Sequence, residues 1–298
     1  MRSALVTTLP AAPAEHSAGA SVSQAMPETR FLERPEGRIA YTDRGSGQLV
    51  IMVPGLGDLK EQYRLLAPRL VAAGYRVVAM DIRGHGASSV TWSDYTCGTQ
   101  GSDVLALIAA LDAGPAILIG NSMAGGSVAW AAAEAPNAVT ALVLIDPFAR
   151  NVPMPAWKAL LFKVLTATVF TGPWGPAAWA GYYTSLYPSS KPSDFDAYKT
   201  ALIANLKEPG RMAALRATAR TDRSDVEPRL ASVHAPTLVV MGARDPDFDD
   251  PAGEAETIAK LLRGRTEMIE DAGHYPHAEM PEATAPVILD FLTAQAGR

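Results

Sequence analysis

Cysteine is nearly missing from this chain. Cys97 is the only one in 298 residues, so no internal disulfide can form and no thiolate cluster can hold zinc. Excess positive charge is missing too. Against 31 Asp and Glu stand 26 Lys and Arg, a net charge of −5 with no local basic cluster, which leaves no electrostatic footprint for DNA or RNA. No stretch reaches the ~18 consecutive apolar residues that a transmembrane helix requires. The opening "MRSALVTTLPAAPAEHSAGASVSQAMPET" carries Arg2, but Thr7, Thr8 and Pro10 interrupt any apolar signal-peptide core. The expectation is a soluble, cytoplasmic protein with no membrane or nucleic-acid partner. What is present is an apolar content of 48% and a charged content of 19%, the balance of a globular chain long enough to bury a substantial core.

The punctuation of the chain sets its organisation. Residues 1–28, rich in Ala, Ser and Pro, read as a disordered N-terminal extension. Short apolar runs then alternate with segments of helical spacing. "RFLER", "RIAYTDRG" and "QLVIMVPG" read as strands, "DLKEQYRLLAPRLVAAG" as one helix ending at Gly74, and "YRVVAMDIRG" as a strand. "PAILIGNS", "VTALVLIDP", "APTLVVMGARD" and "RTEMIEDAGH" are further strands with helices between them. This alternation implies an α/β protein with a mostly parallel central sheet and helices on both faces. Runs such as "AILI", "LVLI" and "LVVM" suit strands covered on both sides. Residues 148–225 break the pattern, with helical segments and no strand. Between Phe148 and Tyr198 lie 11 of the 21 aromatics, which marks an inserted helical cap, or lid, on a core of residues 29–147 and 226–298. Trp157, Phe162, Trp179 and Tyr183 are its candidate substrate-binding side chains.

Open parallel sheets place their sites beyond the carboxyl ends of the strands. The reactive side chains there are Asp81, Arg83 and His85; Ser122; Asp146; Asp245, Asp247 and Asp249; and His274 and His277. A serine hydroxyl is a weak nucleophile until a base removes its proton, and that base is usually an imidazole oriented by a carboxylate. Ser122, Asp245 and His274 supply these types in that chain order.

The motifs "PGLGD", "DIRGHGAS", "GNSMAGG", "GARDP" and "AGHYPHAEMPE", each at a strand end, resemble those of the α/β-hydrolase fold superfamily over residues 30–298. The resemblance implies an α/β-hydrolase fold and a serine nucleophile on a strand–turn–helix elbow. It implies Ser122 as nucleophile, His274 as base and Asp245 as orienting acid. Asp247, Asp249 or Asp146 are alternatives for the acid, and His277 is a packing neighbour. The backbone N–H groups of Leu56 and Met123 would form the oxyanion hole. The elbow departs from Gly-x-Ser-x-Gly, because Ala124 stands where glycine is usual and Gly125 and Gly126 follow. No "GK[ST]" or G-x-G-x-x-G accompanies these glycines, so they cradle no phosphate. "HYPHAE" lacks the spacing of a metal site, and no metal or organic cofactor is expected.

The expected activity is hydrolysis of a small or medium apolar carboxylic ester, lactone or thioester through an acyl-enzyme. "GNSMAGG" also looks like the "GNSMGG" of hydrolases that cleave carbon–carbon bonds in ring-fission products. Those substrates carry carboxylates, which Arg216, Arg220 and Arg223, spaced for one helical face, could bind. Cofactor-free haloperoxidase or perhydrolase chemistry would use the same three residues, and a non-catalytic ligand binder on this fold is the alternative of another class.

Overall fold

The computed structural model describes residues 28–153, 155–157, 160, 164 and 168–296. Residues 1–27, nearly all of the expected N-terminal extension, lie outside the described residues, as does Phe162.

Eight strands form one sheet: β1 Arg30–Arg34, β2 Gly37–Arg44, β3 Leu49–Val53, β4 Arg76–Met80, β5 Ala116–Asn121, β6 Val139–Ile145, β7 Thr237–Gly242 and β8 Arg265–Ile269. Their order is β1-β2-β4-β3-β5-β6-β7-β8. All neighbours from β4 to β8 pair in parallel, while β1–β2 and β2–β4 are antiparallel. Alternation of side chains sorts the apolar strands to two faces. Leu49, Ile51 and Val53 of β3 join one core cluster, with Leu142, Leu144, Val239 and Met241. Val50 and Met52 join the other, with Val143, Ile145, Leu238 and Val240. Strands buried on both faces are why these segments read as unbroken apolar runs.

Helices cover both faces: α1 Ala67–Ala72, α2 Cys97–Leu111, α3 Met123–Glu134, α7 Pro251–Leu262, α8 Pro276–Glu279 and α9 Pro281–Ala296. The segment between β6 and β7 carries α4 Gly175–Ser185, α5 Phe195–Leu206 and α6 Arg211–Ala219. The single helix expected over "DLKEQYRLLAPRLVAAG" is instead two pieces, a 3-10 turn Lys60–Leu65 followed by α1. Pro68 is the physical reason. It lacks an N–H and its ring clashes with the preceding turn, so it is accommodated in the first turn of a new helix rather than inside a long one. Among the described residues no helix is long and apolar enough to cross a membrane.

The strand order reverses around β3, whose neighbours are β4 on one side and β5 on the other. A crevice opens beyond the strand ends at such a point. Leu56 follows β3 and Ser122 follows β5 there, so chain topology alone brings them together.

Candidate active site

Ser122 sits between β5 and α3 with φ 57° and ψ −128°. A non-glycine residue held at positive φ costs on the order of 1–3 kcal/mol and persists only where its surroundings fix it. Here they do. Ser122 N donates to Ile145 O at 2.9 Å, and Ser122 O accepts from Gly125 N at 3.0 Å and Phe148 N at 2.9 Å. The elbow closes tightly around it. A Cβ on Gly120 would lie 2.6 Å from Ala124 O, and one on Gly55 would lie 2.8 Å from Ser122 Cβ. Ala124 is buried without conflict. The glycine that the packing demands lies one position later, since a Cβ on Gly125 would meet Pro147 Cβ at 2.6 Å. The displaced glycine in "NSMAGG" thus follows from where the chain after β6 crosses α3.

His274 Nδ1 lies 2.7 Å from Asp245 Oδ2, both side chains being buried. An ionised carboxylate only accepts, so Nδ1 carries the hydrogen and, in the neutral ring, Nε2 is left as the basic nitrogen. Asp245 Oδ1 accepts from Asp247 N at 2.9 Å. Ser122 and His274 line one cavity of about 410 Å³. The Ser122 hydroxyl makes no hydrogen bond with a described residue, and such contacts often tighten only when substrate is bound. Desolvation by itself pushes His274 down. The carboxylates of Asp245, Asp247 and Asp146 outweigh it and hold the imidazole above its ordinary value.

Asp146 follows β6 at φ 44° and does not replace Asp245 as the partner of His274. Its Oδ1 accepts from Gly242 N at 2.9 Å. An oxygen of Asp146, one of Asp245 and a ring nitrogen of His274 lie within 4.8 Å of one another. Burial, then the adjacent Asp245 charge, pushes Asp146 well above the carboxylate range. Asp247, one of the alternatives for the acid, lines the cavity and accepts from Tyr182 Oη at 2.7 Å. Asp249 also lines the cavity.

Leu56 and Met123 line the same cavity. Met123 is the first residue of α3, whose start has no side-chain cap, and amides of a first helical turn lack an intrahelical acceptor. His277 is packed beside Tyr63 and Tyr275, with neither ring nitrogen hydrogen-bonded to a described residue. Asp81, Arg83 and His85 are buried and do not line the cavity. Asp81 binds Lys60, Arg83 binds Asp103, and His85 Nδ1 meets Arg83 O at 2.8 Å.

The expectations for the insertion need correction. Trp179 lines the cavity. Trp157 is 68% exposed and is not among the cavity's lining residues. Tyr183 is fully buried in an aromatic core that Phe195 and Tyr198 of the insertion form with Tyr275 of the histidine loop. The three arginines share no helical face, because α6 ends at Ala219 and Arg223 lies beyond it. Of the three, only Arg223 reaches the cavity. Sequence reasoning also missed Asn121. Its Nδ2 donates to Ile145 O at 3.0 Å and His274 O at 3.2 Å, tying the serine's strand to the histidine's loop.

A mostly parallel sheet thus carries a strained serine and a carboxylate-bound imidazole to one cavity. The chain belongs to the alpha/beta hydrolase fold family, whose model matches residues 48–281. It is 29% identical over 272 residues to 2-(acetamidomethylene)succinate hydrolase of Mesorhizobium japonicum, covering 87% of this chain and 93% of that one. It is 28% identical to the 2-hydroxy-6-oxo-6-phenylhexa-2,4-dienoate hydrolase of Burkholderia cepacia, covering 86% and 91%. Among solved structures, a thermophilic esterase from Thermogutta terrifontis superposes with a TM-score of 0.72 at 25% identity, covering 91% and 99%. These relatives are hydrolases, and hydrolysis is the class of activity that family and fold support.

Proposed function

We propose that the protein is a serine hydrolase that cleaves small or medium apolar carboxylic esters, lactones or thioesters through an acyl-enzyme. The observation that carries this reading is the buried 2.7 Å bond between His274 and Asp245 on the cavity that Ser122 also lines. Ser122 Oγ attacks the carbonyl carbon while His274 Nε2 takes its proton. Asp245 fixes the ring and stabilises the imidazolium that forms. The amides of Leu56 and Met123 face the developing oxyanion, where the loss of one donor costs about 3–4 kcal/mol in comparable sites. His274 then returns the proton to the leaving group, and water, activated by the same nitrogen, releases the acid. Leu56, Phe148, Val152, Trp179 and Tyr275 give the cavity an apolar wall suited to an alkyl or aryl acyl group, and the insertion acts as its cap.

Arg223 favours a second reading, hydrolysis of a carbon–carbon or enamide bond in a substrate that bears a carboxylate. This cavity residue is 8% exposed. Its guanidinium donates to the backbone oxygens of Phe148, Thr221 and Asp222 and forms no ion pair with a described residue. The relatives named for succinate and dienoate substrates agree with that reading.

Ser122→Ala is expected to abolish p-nitrophenyl ester turnover and covalent labelling by a fluorophosphonate probe. Equal labelling of wild type and variant would refute the assignment. Efficient turnover of a vinylogous diketone acid with negligible ester turnover would select the second reading.

A further inference from the structure

Asp58 is a carboxylate in a place where a carboxylate is costly. It is 1% exposed, lies two residues after Leu56, and has no ion-pair partner among the described residues. Two hydroxyls reach it from different parts of the molecule. Tyr275 Oη, from the residue after His274, donates to Asp58 Oδ2 at 2.7 Å. Tyr198 Oη, from α5 of the insertion, donates to Oδ1 at 3.1 Å and accepts from Leu59 N at 3.1 Å. Asp58 N closes its own turn on Gly55 O at 3.3 Å, and inside that turn lie Leu56 and Gly57, the latter at φ 76°. One side chain thus joins the loop after β3, the loop that carries His274 and the insertion.

An isolated buried carboxyl would be replaced by an apolar residue at little cost, because unpaired polar burial is unfavourable. A carboxylate that receives two hydroxyl donors has another property: it fixes the direction of both bonds, since it can only accept. We propose that Asp58 is a positioning residue that locks the oxyanion loop, the His274 loop and the insertion into one competent arrangement. The inference rests on the proposed hydrolase reading and adds to it a link between seating of the insertion and the rate of acyl transfer.

Among the described residues, charged and titratable groups surround Asp58. Tyr63 and Arg64 face it from the 3-10 turn, Tyr182, Tyr183 and Tyr187 from α4 and the residues after it, Tyr198 from α5, and His274 and Tyr275 from the histidine loop. Burial dominates and pushes Asp58 up to about 7, against the lowering effect of the two tyrosine bonds, His274 and Arg64. When Asp58 takes a proton, one oxygen becomes a donor, and the hydroxyl that was donating to it must turn away or reverse. The lock therefore loosens as pH falls through about 7.

Asp58→Asn imitates the protonated form at all pH values. With a p-nitrophenyl ester, kcat above about pH 8.5 is expected to fall roughly ten- to hundredfold, with KM changed by less than about threefold. In the wild type, log kcat should fall more steeply than a slope of one over the one to two pH units below about 7, where Asp58 adds to His274, and then run parallel to the variant, whose slope should be about one throughout. Tyr198→Phe keeps the carboxylate but removes one stabilising donor, so it should move the Asp58 inflection upward in pH. This second variant keeps the test decisive if Asp58→Asn misfolds. Asp58→Asn with native circular dichroism and an unchanged acid limb, or Tyr198→Phe with an unmoved inflection, would overturn the inference. Failure of the wild type to be labelled at Ser122 by a fluorophosphonate would instead overturn the hydrolase reading on which it rests.

Discussion

At the scale of single residues, the proposed chemistry turns on how carboxylates surround one imidazole. Asp245 bonds His274 directly, Asp247 Oδ2 stands 3.7 Å from the same nitrogen, and Asp146 shares the buried space. Their joint attraction raises His274 despite its burial. A raised imidazole is basic only above that raised value, so kcat/KM should climb with pH as His274 loses its proton. Asp245→Asn removes the first attraction. It should shift the acid limb of kcat/KM to lower pH while lowering kcat by about 10⁴, and a pH–rate profile of the variant checks both. An unmoved limb would assign the orienting role to another carboxylate. The pairing of Asp245 with His274 was legible in the sequence because Asp245 lies in the turn just after an apolar strand. The neighbouring roles were not, since "DPDFDD" offers three further acids and spacing alone does not say which turn brings Asp247 back toward the ring.

At the scale of elements, the elbow explains its own departure from the usual small-residue pattern. Residue 124 faces Gly120 through its backbone, so its methyl is free to fill the strand–helix contact. The following residue carries the restriction, against Pro147. Ala124→Gly should therefore retain most activity and lose about 1 kcal/mol of stability through helix propensity. Gly125→Ala should lose about 1–3 kcal/mol through overpacking and reduce turnover by displacing Ser122. Urea unfolding and ester turnover of the two variants measure the contrast, and equal effects would contradict it. The inner strands β3 to β7 could be read from the sequence because burial on both faces leaves continuous apolar runs, while β1, β2 and β8, exposed or half-buried over much of their length, were legible only from the turn residues that bound them. The break before α1 could have been read from Pro68, but the apolar spacing on either side of it masked the signal. Aromatic content marked the insertion without saying which rings face the cavity. Only packing between α4, α5 and the histidine loop decides that Trp179 lines the cavity while Tyr183 is enclosed.

At the scale of the whole molecule, several buried ionisable groups make stability depend on pH. His277 is lowered to about 3, by burial first and then by Arg64 and His274. His85 is lowered to about 4, chiefly by burial. An unfolded histidine titrates near 6.5, so between these values the unfolded chain binds more protons than the folded one. Stability from each neutral histidine is thus fully present above about pH 6.5 and is lost as pH falls toward the folded value, by about 1.4 kcal/mol per pH unit. His277→Leu should flatten the fall in unfolding free energy between about pH 6 and pH 4 by about one proton. Denaturant unfolding across that range checks it, and an unchanged slope would mean that His277 is already charged in the folded protein. None of this was legible in "HYPHAE", where His274 and His277 differ by three positions. The fold separates them, because Asp245 meets one ring while Tyr63 and Tyr275 pack beside the other.

The central claim is that Ser122 carries an acyl group during turnover. The most direct measurement is intact-protein and peptide mass spectrometry of enzyme quenched while hydrolysing a p-nitrophenyl ester. The expected result is one acyl mass added to the wild type, located on the peptide that contains Ser122, and no addition to Ser122→Ala. Turnover with no adduct on Ser122, or the same adduct on the alanine variant, would contradict the account.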